Sequence, residues 1–464
     1  MKYPSFFSRS NRSGISSGAV TFLCFVFLSA SLTLAMASDH PGQNNHFVRR
    51  PPTPSPTPFK NSDQIASTNS SPEEAPTGFD GATNNLVDGL THQSDQMVFD
   101  EVEDPSKGLG PVYNAESCNA CHQSPVDGAT SQINEVRAGT LNSSGQFINP
   151  NVTIADGTAV IQARSLINDR AICPSGAFPA TQVQEHVPDN TNVRALRASL
   201  NLLGDGFVEA IADATIANIA ANQCKTSGGQ ICGQVISVPV LEAPGQTRVA
   251  RFGWKNQHAS LLSFAADAYL NEMGVTNPLL TQDITSVCKT TTDPEDQVDS
   301  DGLADIDHFA RFIRASKAPA RDETLATTVD AQLGAEVFSR IGCDTCHVSS
   351  ITTAPAGSVI NGGAFAVPDA LGNKTIHPYS DFLLHNVGTG DGIVQNGGPQ
   401  TAMKLRTPPL WGVRLHGRFM HDGLSMTFTD AINRHAGEAS GAVRNFHSLT
   451  SQDRARLLAF LNSL

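Results

Sequence analysis

Apolar residues recur at helical spacing in four stretches of this chain. Across Gln257 to Met273, residues Leu261, Leu262, Ala265, Ala268, Tyr269 and Glu272 share that spacing, and Gly274 supplies a stop. Leu303, Ile306, Ala310 and Ile313 repeat it, with Pro319 beyond the end. Gly334-Ala335-Glu336-Val337-Phe338 lies on an amphipathic helix leading to Gly342-Cys343. The chain closes on another helix, opened by the capping signature Thr450-Ser451-Gln452-Asp453, with Leu457, Phe460, Leu461 and Leu464 on one face. Between Gln123 and Asn190 the sequence is polar, and Val152-Thr153-Ile154 and Ala159-Val160-Ile161 fit short strands or irregular loops equally.

The N-terminal stretch has a different character. Lys2, Arg9 and Arg12 precede an apolar run from Ala19 to Leu34, and Ala35-Met36-Ala37 follows as a cleavage pattern. Residues 1–37 therefore read as an export signal, which places the mature chain in the periplasm. A retained anchor is the alternative, because the apolar run is near the lower limit for spanning. Residues 38–94 are rich in Pro, Ser and Thr, as in Arg50-Pro51-Pro52-Thr53-Pro54, and predict a disordered linker. The 464-residue length leaves room for two further domains, 95–325 and 326–464. A formal charge of -13 argues against nucleic acid and anionic membranes as partners.

The chemistry concentrates in two short motifs, Cys118-Asn119-Ala120-Cys121-His122 and Cys343-Asp344-Thr345-Cys346-His347. C-x-x-C-H is the c-type haem attachment pattern: two thiols on one turn reach two vinyl groups, and the adjacent imidazole binds the iron. Two covalently attached haems follow, with His122 and His347 as proximal iron ligands. The other exported cysteines, Cys173, Cys224, Cys232 and Cys288, suit two disulfides, and the short turn through Gly228-Gly229 favours Cys224 with Cys232. An acidic run from Asp293 to Asp307 raises calcium as a further cofactor, but His308 stands where an EF-hand needs glutamate. Acids in a solvated loop and at a helix start account for it better.

Several longer segments carry a family resemblance. Leu203-Gly204-Asp205-Gly206-Phe207, Arg251-Phe252-Gly253-Trp254-Lys255 and Ala268-Tyr269-Leu270-Asn271-Glu272-Met273-Gly274 are three of them. Tyr379 to His385, Arg406-Thr407-Pro408-Pro409-Leu410-Trp411-Gly412 and Met420-His421-Asp422-Gly423 are the others. Together they resemble the di-haem oxidoreductases, relatives of the bacterial di-haem cytochrome c peroxidases, over roughly residues 95–464. The resemblance implies a mainly α fold of two cytochrome c-like haem domains with irregular or short-strand insertions. It implies His435, fourteen residues after His421, as the second ligand of the C-terminal haem, with Met420 and Met426 less suited. It also implies Trp254 between the haems and Glu272 over an open first iron. His186 is a weaker candidate ligand there. His385, His421, Arg406 and Trp411 are assigned to structure, as are His258 and His308.

The implied activity is reduction of hydrogen peroxide at the first haem, with Glu272 moving a proton and electrons passing through Trp254 from the second haem. An external donor, such as a small cytochrome or cupredoxin, would recharge the second haem. Two other readings stay open: a carrier with both irons closed, and oxidation of a thiol or protein side chain. No stable membrane span is expected in the mature chain.

Overall fold

The computed structural model describes residues 71–290 and 295–464. The export signal and most of the linker lie outside the described residues. The part of the linker that is described is built into the fold. Glu73–Glu74 pairs in parallel with Lys374–Ile376, and the Asn84 side chain donates to the Arg314 and Ser316 carbonyls at 2.8 and 3.2 Å.

Helix α1 (Gly89–Asp100) is capped by Asp88, whose carboxylate accepts from Leu90 and Thr91. Strand β1 (Asn134–Leu141) pairs antiparallel with β2 (Val193–Ala198), setting Val136 opposite Leu196 and Asn134 opposite Ala198. Two short strands, Phe147–Ile148 and Leu166–Ile167, complete this four-stranded sheet. Helix α2 (Asp213–Thr226) precedes the long loop to α3 (Leu261–Met273). α3 starts four residues later than its pattern predicts, because Ser260 turns its hydroxyl back to cap Ser263 N. It stops as predicted at Gly274, whose φ of +78° closes the left-handed C-cap. α4 (Asp305–Ala315) buries Ile306, Phe309, Ala310 and Ile313, and the Asp296 carboxylate accepts from its Asp305 amide at 2.8 Å.

The last two long helices, α5 (Val329–Arg340) and α7 (Ser451–Leu461), pack closely; α6 (Phe428–Arg434) lies between them in the chain. Gly334 permits the close approach, since a Cβ there would stand 2.0 Å from the Arg456 carbonyl oxygen. Val337, Phe338 and Ile341 then meet Leu457, Phe460 and Leu461 in one apolar cluster. Each such side chain contributes about 1.5–3 kcal/mol of burial, so this contact anchors the C-terminal region. A larger cluster joins Phe99, Tyr269 and Phe309 to Ile351, Ile376, Phe382 and Trp411.

The architecture is not mainly α. Helix accounts for 31% and strand for 16% of the described residues, with the strands spread over many small sheets. The long excursions between helices carry backbone donors and acceptors that need partners when covered, and short ladders supply them. Val152–Ile154 with Ala159–Ile161 is one such ladder. Strands of two or three residues are too short for a period-2 pattern to be read from sequence.

Two disulfides close the covalent frame, Cys173–Cys288 and the expected Cys224–Cys232. Among the described residues, no helix is long and apolar enough to cross a membrane.

Candidate functional site

The second C-x-x-C-H follows the end of α5. Gly342 takes a φ of +91°, which turns the chain into the short helical segment Cys343–Thr345. The His347 amide then donates to the Cys343 carbonyl at 3.0 Å, so both thiols and the imidazole sit on one turn. Cys343 and Cys346 form no disulfide. They line a cavity of about 850 Å³ together with His347, His435, Arg406 and Trp254. Phe338, Ile341, Leu410, Val413 and Leu461 supply apolar wall.

Two imidazoles in this cavity are set up alike. His347 donates from Nδ1 to the Tyr379 carbonyl at 2.9 Å. His435, just past α6, donates from Nδ1 to the Ala431 carbonyl at 2.8 Å. Burial lowers the pKa of both, His347 to about 4, and the His435 ring pushes His347 down further. Both rings are therefore neutral, and with Nδ1 occupied each has its Nε2 lone pair to offer a metal. Arg406 holds the wall beside them, with Nε donating to the Gly253 carbonyl at 2.9 Å. Burial brings this guanidinium down to about 10, so it remains a cation at neutral pH, suited to carboxylates such as haem propionates. Unpaired thiols, neutral imidazoles, apolar walls and the buried Arg406 cation together fit a haem. Met420 also lines the cavity, whereas Met426 is exposed.

His385 has a larger role than general packing. It is buried, with Nε2 2.9 Å from Asp381 Oδ2 and Nδ1 2.8 Å from Glu438 Oε2. Burial opposes its charge, but Asp381, the Cys346 sulfur and Glu438 raise its pKa to about 12. The imidazolium lies 3.9 Å from Cys346 Sγ. Gln223 binds Asp381 and the Thr345 carbonyl, both at 2.6 Å, tying the network to the motif. Cys346, Asp381 and His385 are also the one metal-like cluster among the described residues, yet a doubly donating imidazolium has no lone pair for a metal.

The first motif is another single turn: the Cys121 and His122 amides both lie 3.2 Å from the Cys118 carbonyl. Its thiols are likewise unpaired. His122 donates from Nδ1 to the Ala129 carbonyl at 3.1 Å, and burial keeps the ring neutral. These residues fit a second haem. Glu272 lies close enough for its charge, with that of Glu135, to raise the Cys121 thiol pKa beyond the effect of burial. Asn114 Nδ2 donates to Glu272 Oε2 at 2.7 Å. Burial and then Glu135 push the Glu272 carboxyl up to about 8.

Glu135 and Arg137 were not identified from the sequence. They face the same side of β1 because side chains alternate along a strand. The signal was opposite charges two residues apart, inside a region whose pattern did not decide between strand and loop. His186 is exposed after a short helix and has no buried role.

Trp254 connects the two regions. It is buried, its Nε1 donates to the Ala198 carbonyl at 2.8 Å, and its ring meets His421 edge-on at 6.1 Å between centroids. Ala198 ends β2, which pairs with the strand bearing Glu135. Trp411 is core. His258 pairs with Asp267, and His308 with Asp95 and Asp299.

A family model described as "Di-haem oxidoreductase, putative peroxidase" matches residues 146–464. The matched range includes Trp254, Glu272, the second motif and His435, and begins after the first motif. No curated protein matches the chain. Among solved structures, hydrazine synthase from Kuenenia stuttgartiensis aligns over 88% of this chain and 100% of its own, at 14% identity and a TM-score of 0.38. A MauG-like protein associated with microbial copper homeostasis aligns over 87% and 95%, at 16% identity and a TM-score of 0.35.

Proposed function

The chain belongs to the di-haem oxidoreductase family, and from that premise we propose that it is an exported c-type di-haem enzyme that reduces hydrogen peroxide. Cys118 and Cys121 would hold the first haem covalently, with His122 on its iron. Cys343 and Cys346 would hold the second, with His347 and His435 as the residues that would bind its iron. When bound, haem iron supplies the redox chemistry, by which hydrogen peroxide with two electrons and two protons becomes two waters.

The protein's own residues manage protons and access. A carboxyl near pH 8, as at Glu272, is populated in both forms at neutral pH. It can take a proton from one peroxide oxygen and return it to the departing one. Trp254 stands in the wall of the second cavity, and its indole would carry electrons between the regions. The second site acts as the electron store, refilled in the periplasm by a small cytochrome or cupredoxin.

The observation that carries this reading is an asymmetry. Among the histidines lining the second cavity, His347 and His435 are a neutral pair set alike, each with Nδ1 on a backbone carbonyl, while the first motif has one imidazole and a proton-holding carboxyl nearby. The test mixes half-reduced protein with hydrogen peroxide. A rapid Soret change and turnover are expected, and the ferric protein should show high-spin bands from one open iron. Two low-spin haems and no turnover would make the protein an electron carrier.

A further inference from the structure

Glu272 shares its surroundings with a second carboxylate that the proposed reaction leaves without a task. Arg137 grips Glu135 through Nε at 2.7 Å and its terminal nitrogen at 2.9 Å. Glu272 Oε1 lies 4.0 Å from the same guanidinium. Behind Glu135, the Arg197 guanidinium approaches to 4.0 Å, but it is committed to Asp391, with Nε to Oδ2 at 2.8 Å. Lys255 holds the other Asp391 oxygen at 3.1 Å.

Two carboxyls thus compete for one guanidinium. The bidentate partner, Glu135, stays ionised, and Glu272 is left beside its negative charge. Other charged groups lie around Glu272. On α3, Asp267 lies 3.2 Å from His258 and its charge helps to raise the Arg137 pKa, and Arg164, which donates to the Asn271 carbonyl, pairs with Glu185. Asp169 and Arg170, which act on Cys121, have opposite signs.

We propose that Glu135 and Arg137 are positioning residues that set the proton occupancy of Glu272, the first raising it and the second limiting it. This rests on the reading of Glu272 as the proton-transfer group. The strand supplies the device: one face presents a negative and a positive charge, and Glu272 meets both. Its pKa of about 8 is consistent with that balance, since burial and Glu135 raise it and Arg137 opposes them.

The sign of each substitution follows. Glu135→Gln removes the like charge, so the Glu272 pKa falls. Arg137→Gln removes the cation, so it rises. Each change should amount to about 1–3 pH units.

The experiment follows the infrared band of protonated carboxyl groups in the haem-loaded protein across pH, with Glu272→Gln identifying the Glu272 component. The wild-type component should titrate near the pKa of about 8, at lower pH in Glu135→Gln and at higher pH in Arg137→Gln. Arg137→Lys should restore much of the wild-type midpoint if the charge is what matters. The rising limb of the peroxide rate against pH should move in the same directions. Unmoved midpoints, or shifts of the same sign in both variants, would overturn the proposal. The infrared titration needs no peroxide, so opposite band shifts without turnover would sink the peroxidase reading while sustaining this one.

Discussion

The two C-x-x-C-H motifs share the same pattern and differ sharply in what the fold places around them. The second sits between helices, in an apolar cavity that brings a second neutral imidazole, His435, toward the first. The first sits beside strand β1 and the end of α3, where Glu135, Arg137 and Glu272 bring charge. A five-residue motif can attach a haem, but the far wall decides whether its iron is closed or meets a proton donor. At the first motif that wall combines Glu135, 13 residues beyond His122, with Glu272, 150 residues beyond it, and at the second His435 lies 88 residues beyond His347. Their second lines of support differ too: a buried imidazolium, His385, at the second motif, and a carboxyl pair sharing an arginine at the first.

The comparison can be broken most directly at Glu272. Glu272→Gln should lower the rate with peroxide by about 10²–10⁴-fold, while the redox spectrum of the second haem stays unchanged. Equal loss at both sites, followed by optical titration, would mean that the two regions are not functionally distinct.

Next in size is the difference between the disulfides. Cys173–Cys288 closes a span of 115 residues in the first region, and Cys224–Cys232 closes one of eight near the second motif. Loop-closure entropy puts the first at about 4–5 kcal/mol and the second at about 2–3 kcal/mol. Chemical denaturation of the paired Cys→Ser variants should preserve that order. The second should also disturb the spectrum of the second haem, because the Cys232 amide donates to the Glu438 carboxylate that holds His385.

A smaller and more selective effect is expected at His435. His435→Met should raise the potential of the second haem, since Met ligation favours the reduced iron; potentiometry with optical detection reads it. If the potential does not move, His435 is not a ligand, and Met420 in the same cavity becomes the residue to replace.

Helices were legible where an apolar face was long and its ends were marked. Gly274 ends α3 and Thr450 starts α7 as their residue types require. The start of α3 was misplaced because Gln257 and His258 bridge back to Phe252 instead of continuing the helix. The mainly α expectation failed for a related reason. Ladders of two or three residues leave no periodic trace, and the eight-residue β1 lies in a polar stretch whose pattern fits strand and loop equally. With β1 hidden, Glu135 and Arg137 could not be placed on one face.

By itself, the sequence determined the chemistry that depends on neighbours in the chain. Thiols and imidazole at fixed spacing, helix caps, and the short Cys224–Cys232 loop are local, because a few bonds set their geometry. Tertiary structure alone decided which groups oppose one another. His435 meets the His347 cavity, His385 is held between Asp381 and Glu438, and Glu272 is set beside Glu135 and Arg137. These are energies of burial and of charge at a few ångströms. They exist only once distant segments have packed, which is why a shared five-residue motif could not reveal that its two copies have different surroundings.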